Sequence, residues 1–223
     1  MTALLLLLFV FAGLLFAGIG IKLLRNLFLN WNPSDSKIQE DIRQMRAEIE
    51  PFAADLVPLD SKELELFSLN QLNQTLSKSM TTTAKGVYTS IYQEPLVAYS
   101  YKKYFGENAL LYARTATREI VYRISKKGIK VAINQNYYGT IKQGVLYGRD
   151  TKKALAQVNA RTPELMLPVI VGEKEVGLLN APNVADTPQP RAFRYVSNEL
   201  NEAEEQAFLT LAILELVQKQ VEE

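Results

Sequence analysis

Basic residues gather in one window of the sequence and are its strongest chemical signal. Residues 102–130 carry eight cations against two carboxylates, Glu107 and Glu119. The cations are Lys102, Lys103, Arg114, Arg118, Arg123, Lys126, Lys127 and Lys130. Each cation near an anionic membrane surface contributes about 1 kcal/mol of attraction, so the window predicts a lipid-binding site. Its expected members are Lys102, Lys103, Lys126, Lys127 and Lys130, with Lys126 and Lys127 in a turn between strands. The alternative is a set of ordinary edge and turn cations that keep a β domain soluble and unpaired.

The residues of most enzymatic chemistry are missing. The chain has no His and no Cys, which excludes imidazole bases, thiol nucleophiles, disulfides and nearly every zinc or haem site. It also lacks a phosphate-binding glycine loop, a dinucleotide fingerprint and a calcium-binding loop. Its net charge of +1 gives no reason to expect nucleic-acid binding. The sequence therefore predicts a non-enzymatic protein with no cofactor, no metal and no nucleic-acid partner.

An apolar run opens the chain. Residues 3–21 are nineteen consecutive uncharged residues, mostly Leu, Phe, Ala and Gly. As a helix they would extend about 28 Å, close to the ~30 Å hydrocarbon core of a bilayer, which predicts a transmembrane helix. The rival interpretation is a cleaved signal peptide, although no Lys or Arg precedes the run and the run is longer than usual.

The flanks of this run predict its orientation. Lys22 and Arg25 follow it, and cations close to a membrane span mark its cytoplasmic side. We therefore expect the N-terminus outside and the large domain in the cytoplasm. Trp31, the one tryptophan, suits the membrane interface at the end of this first region, residues 1–31.

Small residues form a stripe within the predicted span. Gly13, Ala17 and Gly20 recur at spacings of four and three, so they would share one helical face. Such a stripe lets two helices approach closely in lipid, which predicts packing against another transmembrane helix. The alternative is that small residues are simply common in membrane helices.

A second, amphipathic helix is predicted at residues 34–50, within a helical linker region at 32–84. Ser34 or Asp35 can cap it, and Ile38, Ile42, Met45 and Ile49 form an apolar stripe. The stripe is too short for a coiled coil, so we expect the helix to dock on its own domain or on a neighbour. A short helix from about residue 61, followed by a polar stretch at 70–83, completes the linker.

The rest of the chain, residues 85–223, predicts a mainly β (α+β) domain. Short Val-, Ile-, Tyr- and Thr-rich segments punctuated by Gly, Asn or Pro indicate about eleven strands. The predicted strands are 86–93, 96–105, 109–115, 119–126, 128–134, 137–143, 145–148, 154–159, 167–171, 175–180 and 191–196. With no helix between them, they predict a closed antiparallel β-meander barrel.

The C-terminal segment predicts what fills that barrel. Asn201 and Glu204 have the spacing of a capping box, and residues 207–217 (AFLTLAILELV) are apolar nearly all round. Eleven helical residues extend only about 16 Å, too short to cross a bilayer, so protein must surround them. The barrel is the simplest container.

This pattern resembles the tubby C-terminal-like superfamily, which includes tubby domains, LURP-one-related proteins and phospholipid scramblases. The resemblance covers roughly residues 85–219 and depends on the strand rhythm, on hairpin sequences such as RISKKGIKVAINQNYYGTIKQGVLYG and LPVIVGEKEVGLLN, and on AFLTLAILELV. It implies phosphoinositide binding or lipid-linked signalling. Scramblase activity is not implied, because scramblase-like members have a C-terminal membrane segment and a Cys-rich stretch.

Together these patterns predict a single-pass membrane protein that acts as scaffold or accessory subunit of a membrane complex. Its partners would be membrane lipid and other subunits, contacted through the transmembrane helix and helix 34–50. The alternative function is an anionic-lipid-binding module on the cytoplasmic leaflet.

Overall fold

The computed structural model describes residues 16, 19–21, 30–31, 33–59, 61–79, 81–149, 153–158, 166–180 and 190–222. The described residues form one large antiparallel sheet and the three helices whose bounds are given next. The helices are α1 (Asp35–Ala53), α2 (Ser61–Glu65) and α3 (Glu202–Glu222). The chain is therefore mainly β, as the sequence predicts.

The predicted transmembrane helix is corrected by the structure. Of the described helices, none is long and apolar enough to cross a membrane. Of the predicted span 3–21, only residue 16 and residues 19–21 lie within the described residues. Gly13 and Ala17 of the small-residue stripe lie outside the described residues, and Gly20 has no neighbouring atom within 4 Å of a Cβ built on it. In the part of the chain that the structure describes, the fold class is thus a nearly closed barrel with helices, and no membrane-spanning helix is found there.

Twelve strands follow one another around the sheet in sequence order, each antiparallel to the next. They are β1 (Phe67–Lys78), β2 (Thr82–Ser90), β3 (Pro95–Lys103), β4 (Ala109–Arg114), β5 (Glu119–Ser125), β6 (Gly128–Ile133), β7 (Asn136–Lys142), β8 (Val145–Gly148), β9 (Ala154–Val158), β10 (Met166–Val171), β11 (Lys174–Asn180) and β12 (Phe193–Val196). The eleven strands predicted from the sequence correspond to β2–β12. This up-and-down order is the meander that the short, turn-punctuated segments predict.

The two ends of the sheet meet and nearly close the barrel. Ser68 of β1 forms an antiparallel bridge with Arg191, just before β12. Two further backbone hydrogen bonds support this seam, from Leu69 N–H to Pro190 O (2.8 Å) and from Ala192 N–H to Phe67 O (2.8 Å). The seam involves only the first residues of β1, so the rest of that strand and its hairpin with β2 extend past it.

β1 was not predicted as a strand. The sequence suggested a short helix followed by a polar stretch before a β domain beginning near Lys85, whereas the sheet begins at Phe67. The strand carries one β-branched residue, Thr75, and Asn73 adopts a positive φ of 52° where the pairing with β2 shifts register. Pairing with β2, rather than local propensity, makes this segment a strand.

α3 fills the barrel. Every residue from Ala207 to Leu214 is buried, including Thr210, and the core joins them to inward side chains of most strands. The Tyr122 hydroxyl of β5 donates to Thr210 O at 2.8 Å, and the Phe208 ring packs against Phe193 with centroids 5.1 Å apart. Gly177 of β11 allows this approach, since a Cβ there would lie 2.7 Å from Phe208 Cε2. The capping box is present as predicted: Asn201 and Glu204 exchange hydrogen bonds, each 3.0 Å long.

α1 lies on the outside of the barrel, across β3 and β4. Ile38, Met45 and Ile49 are buried in a second apolar cluster with outward residues of β2, β3 and β4. The buried face departs from the expected apolar stripe because Asp41 is also buried, whereas Ile42 is only partly so. Covered by α3 on one side and α1 on the other, β3 is buried continuously from Leu96 to Tyr101.

Candidate functional site

Several exposed lysines lie at the hairpin turns of one end of the barrel. In a meander, the turns β1–β2, β3–β4, β5–β6 and β7–β8 all lie at the same end of the sheet. The exposed lysines that flank or form these turns are Lys78, Lys103, Lys126, Lys127 and Lys142. We call this set the basic end. One carboxylate beside it, Glu107, lies 3.6 Å from Lys126, and both side chains are largely exposed, so this contact contributes little stability.

The predicted lipid-binding residues divide into two groups. Lys103, Lys126 and Lys127 belong to the basic end. Lys130 is exposed on β6, where it lies opposite Arg123 of β5 in the strand register. Lys102 differs, because its Nζ lies 3.0 Å from Asp41 Oδ1 and 5.3 Å from the centre of the Tyr104 ring. The structure therefore brings three of the five predicted residues together and engages Lys102 in a contact with α1.

The opposite end of the barrel carries carboxylates. Its exposed members, in the turns β2–β3 and β10–β11 and around the start of α3, are Glu94, Glu173, Glu199 and Glu202. Arg118, in the β4–β5 turn, is paired with Glu205 at 3.2 Å, and Lys174 is the exposed lysine of the β10–β11 turn. The exposed cations Arg149 and Lys153 flank the β8–β9 turn at the same end, so among the described residues this end carries charges of both signs.

The N-terminal part of the chain reaches the barrel at the basic end. The Phe105 N–H, in the β3–β4 turn, donates to Asn30 O at 3.0 Å. Asp35, at the start of α1, pairs with Arg123 at 2.6 Å. Trp31 lies between these contacts in sequence and is 72% exposed. An exposed tryptophan beside exposed lysines has the composition of a membrane-interface surface.

A buried carboxylate attaches α1 to the barrel. Asp41 is 1% exposed, accepts a 2.6 Å hydrogen bond from the Tyr104 hydroxyl, and lies 3.0 Å from Lys102 Nζ and 3.2 Å from Lys37 Nζ. Burial by itself raises the pKa of Asp41, but the hydrogen bonds from Tyr104 and Lys102 outweigh it and hold the pKa below the ordinary value. Burial and the neighbouring carboxylate raise the pKa of Tyr104 well above that of a free tyrosine. The cluster is a structural attachment, since three donors already engage the carboxylate.

Beside this attachment, a polar groove of about 350 Å³ runs between α1 and the outer face of β1–β3. Its lining includes Gln44 and Glu48 from α1, and Thr75, Thr83, Lys85 and Ser100 from the strands. A volume of this size is at the lower end of the range for small-molecule sites. We call it the α1 groove.

Metal chemistry finds no support in this geometry. Within the described ranges, no group of three or more acidic side chains lies where it could hold a metal ion. At the start of α3, Glu204 instead caps the helix and Glu205 pairs with Arg118.

Sequence reasoning missed several of these features. Lys78 and Lys142 lie outside the 102–130 window, and only the strand order places them beside its lysines. Asp41 carries a signal that could have been noticed, since it lies three residues after Ile38 and four before Met45, on the apolar stripe itself. The α1 groove has no signal in the sequence, because its lining comes from four separate segments.

Comparison of the chain with protein-family models, with curated proteins and with solved structures finds no significant match.

Proposed function

We propose that this chain is a non-enzymatic module that binds anionic membrane surfaces through the basic end of its barrel. The observation that carries the proposal is the position of Lys103, Lys126 and Lys127 on adjacent hairpins, at the end where Asn30 meets the barrel. With about 1 kcal/mol for each cation near a charged membrane surface, three lysines supply enough attraction for reversible docking. The cytoplasmic leaflet, which is rich in anionic lipid, is the surface we propose.

The barrel plan is consistent with this role. A meander closed around a C-terminal helix is the arrangement expected of the tubby C-terminal-like superfamily, and we propose a relationship to that group on the basis of the shared plan. The group's lipid-linked roles agree with a basic end that carries an exposed tryptophan.

The test is flotation of the full chain with vesicles of phosphatidylcholine alone or mixed with phosphatidylserine. The readout is the ratio of binding to anionic over neutral vesicles, so that any affinity of the apolar N-terminal segment for lipid cancels. We expect a ratio well above one at low salt that falls towards one as salt screens the charges. A ratio of one at all salt concentrations would refute the proposal.

Two single variants make the test specific to one end of the molecule. Lys127→Gln removes an exposed turn lysine from the basic end, and Lys174→Gln removes one from the opposite end. We expect Lys127→Gln to weaken the anionic binding about fivefold, the equivalent of about 1 kcal/mol, and Lys174→Gln to leave it unchanged. Equal effects would show that attraction depends on net charge alone.

An accessory-subunit role is the second candidate, and the open edge of β1 is the observation that favours it. The described residues bridge this edge at Ser68, with Arg191, and Leu72 and Leu76 farther along β1 are each 42% exposed. The apolar face of α1 is already occupied by the barrel, so a protein partner would have to use other surfaces such as this edge. A detergent-solubilised sample from the native membrane that sediments as a lone monomer would contradict this role.

A further inference from the structure

The α1 groove contains two opposite charges that have no ionic partner. Four charged groups line it, and two of them, Asp41 and Lys102, form an ion pair at 3.0 Å. Of the remaining two, the side-chain ammonium of Lys85 forms no hydrogen bond or ion pair with any residue that the structure describes. Glu48 accepts hydrogen bonds from Ser100 Oγ (3.0 Å) and Gln44 Nε2 (3.1 Å), both of which are neutral groups.

The register of the sheet places both charges next to one residue, Ser100. Lys85 of β2 is paired with Ser100 of β3, and it is the Ser100 hydroxyl that donates to Glu48. On its other side Lys85 is paired with Thr75 of β1, so hydroxyl groups flank the lysine across both strands. Both charged side chains are half-buried. A half-buried charge without a counter-ion loses solvation that an ionic ligand would restore.

We propose that the α1 groove binds a small zwitterion, in which a primary ammonium contacts Glu48 and an oxyanion contacts Lys85. The hydroxyl groups of Thr75 and Thr83 are further donors for the oxyanion. A ligand with one charge only would leave the other groove charge uncompensated, so both charges are needed for tight binding. The ligand chemistry is that of phosphoethanolamine or an amino acid, either free in solution or presented as a lipid headgroup. The proposal does not depend on the basic end, since the groove lies on the side of the barrel.

Three probes test the requirement for both charges on the unmodified full chain. Phosphoethanolamine carries an ammonium and an oxyanion, ethanolamine only the ammonium, and inorganic phosphate only the oxyanion. We expect saturable binding of phosphoethanolamine, measured by calorimetry, at least about tenfold tighter than that of either half. Equal binding of phosphate and phosphoethanolamine, or no binding of any probe, would overturn the proposal.

Two groove variants and two controls assign the contacts. Lys85→Gln should reduce phosphoethanolamine affinity to the level of ethanolamine, and Glu48→Gln should reduce it to the level of phosphate. Glu48→Gln keeps an oxygen that can accept from Ser100, and the thermal midpoint of each variant checks that it is folded. Two control variants should leave the affinity for phosphoethanolamine unchanged: Glu40→Gln, on the exposed face of α1, and Lys174→Gln, in the β10–β11 turn. An unchanged affinity in either folded groove variant would refute the assigned contacts.

Vesicles distinguish a free solute from a headgroup. Phosphatidylethanolamine in phosphatidylcholine is uncharged overall, so it does not attract the basic end, and the quaternary ammonium of choline has no N–H to donate to Glu48. Binding that rises with phosphatidylethanolamine content and is lost in Lys85→Gln identifies a headgroup ligand. Binding of free phosphoethanolamine without this dependence identifies a soluble ligand. Failure of the anionic-vesicle test would leave both results intact, so the two proposals fail separately.

Discussion

The Tyr104 hydroxyl donates a 2.6 Å hydrogen bond to Asp41 Oδ2, and this buried contact connects the end of β3 to the middle of α1. Lys102 and Lys37 hold the other carboxylate oxygen at 3.0 and 3.2 Å. A helix that lies on the outside of a barrel is thus attached by a charge as well as by apolar packing. The same contact fixes one wall of the α1 groove.

We expect Asp41→Asn to lower the free energy of unfolding by roughly 3 kcal/mol, because it leaves the partly buried charge of Lys102 without its carboxylate and Lys37 with Glu40 alone. Urea denaturation of the full chain measures the change. Glu40→Gln is the matched control, since Glu40 neighbours Asp41 but its carboxylate is exposed and contacts only Lys37. A loss below about 0.5 kcal/mol for Asp41→Asn would show that the ion pairs do not stabilise the helix contact.

Acidic pH should remove the contribution of Asp41 to the free energy of unfolding. The pKa of Asp41 lies below the ordinary value, so its stabilisation is complete above the unfolded-state pKa of about 3.9 and is lost as the pH falls through the lower folded-state pKa. We therefore expect the stability difference between the unmodified chain and Asp41→Asn to be constant near neutral pH. Below about pH 4 it should shrink. Denaturation curves over this range test the sign, and a difference that grows in acid would contradict it.

Phe208→Ala should lower the free energy of unfolding by about 3–5 kcal/mol, because it opens a cavity where α3 meets β11 and β12. The ring is fully buried and packs against Phe193 and Gly177. Tyr92→Ala is the control, since that ring is 69% exposed and its removal creates no cavity. Equal losses in the two variants would mean that the helix is not inside the barrel.

The sequence predicted the elements that follow local rules. The β6–β7 turn appears where Asn and Gln interrupt two strand patterns, and Asn134 and Gln135 adopt the positive φ angles such turns require. α3 was predictable because apolar residues all round a short helix need a container. β1 was missed because its amides and serines favour no strand, and its conformation depends on pairing with β2.

The site was less predictable because it depends on distant pairings. Lys102 was expected at a lipid surface, yet Asp41, sixty-one residues earlier, engages it in an ion pair. The sequence alone also does not tell whether the cations of residues 102–130 lie at one end of the barrel or are divided between both ends. Only strand order answers this, and it adds Lys78 and Lys142 from outside the window.

The position of α3 has a consequence for the biosynthesis of the protein. The segment that occupies the middle of the barrel is translated after all twelve described strands. Until it is released, the inward faces of the strands have nothing to pack against. Closure of the barrel around its helix therefore has to wait for α3, and nascent chains that stop before residue 202 would leave that apolar surface exposed.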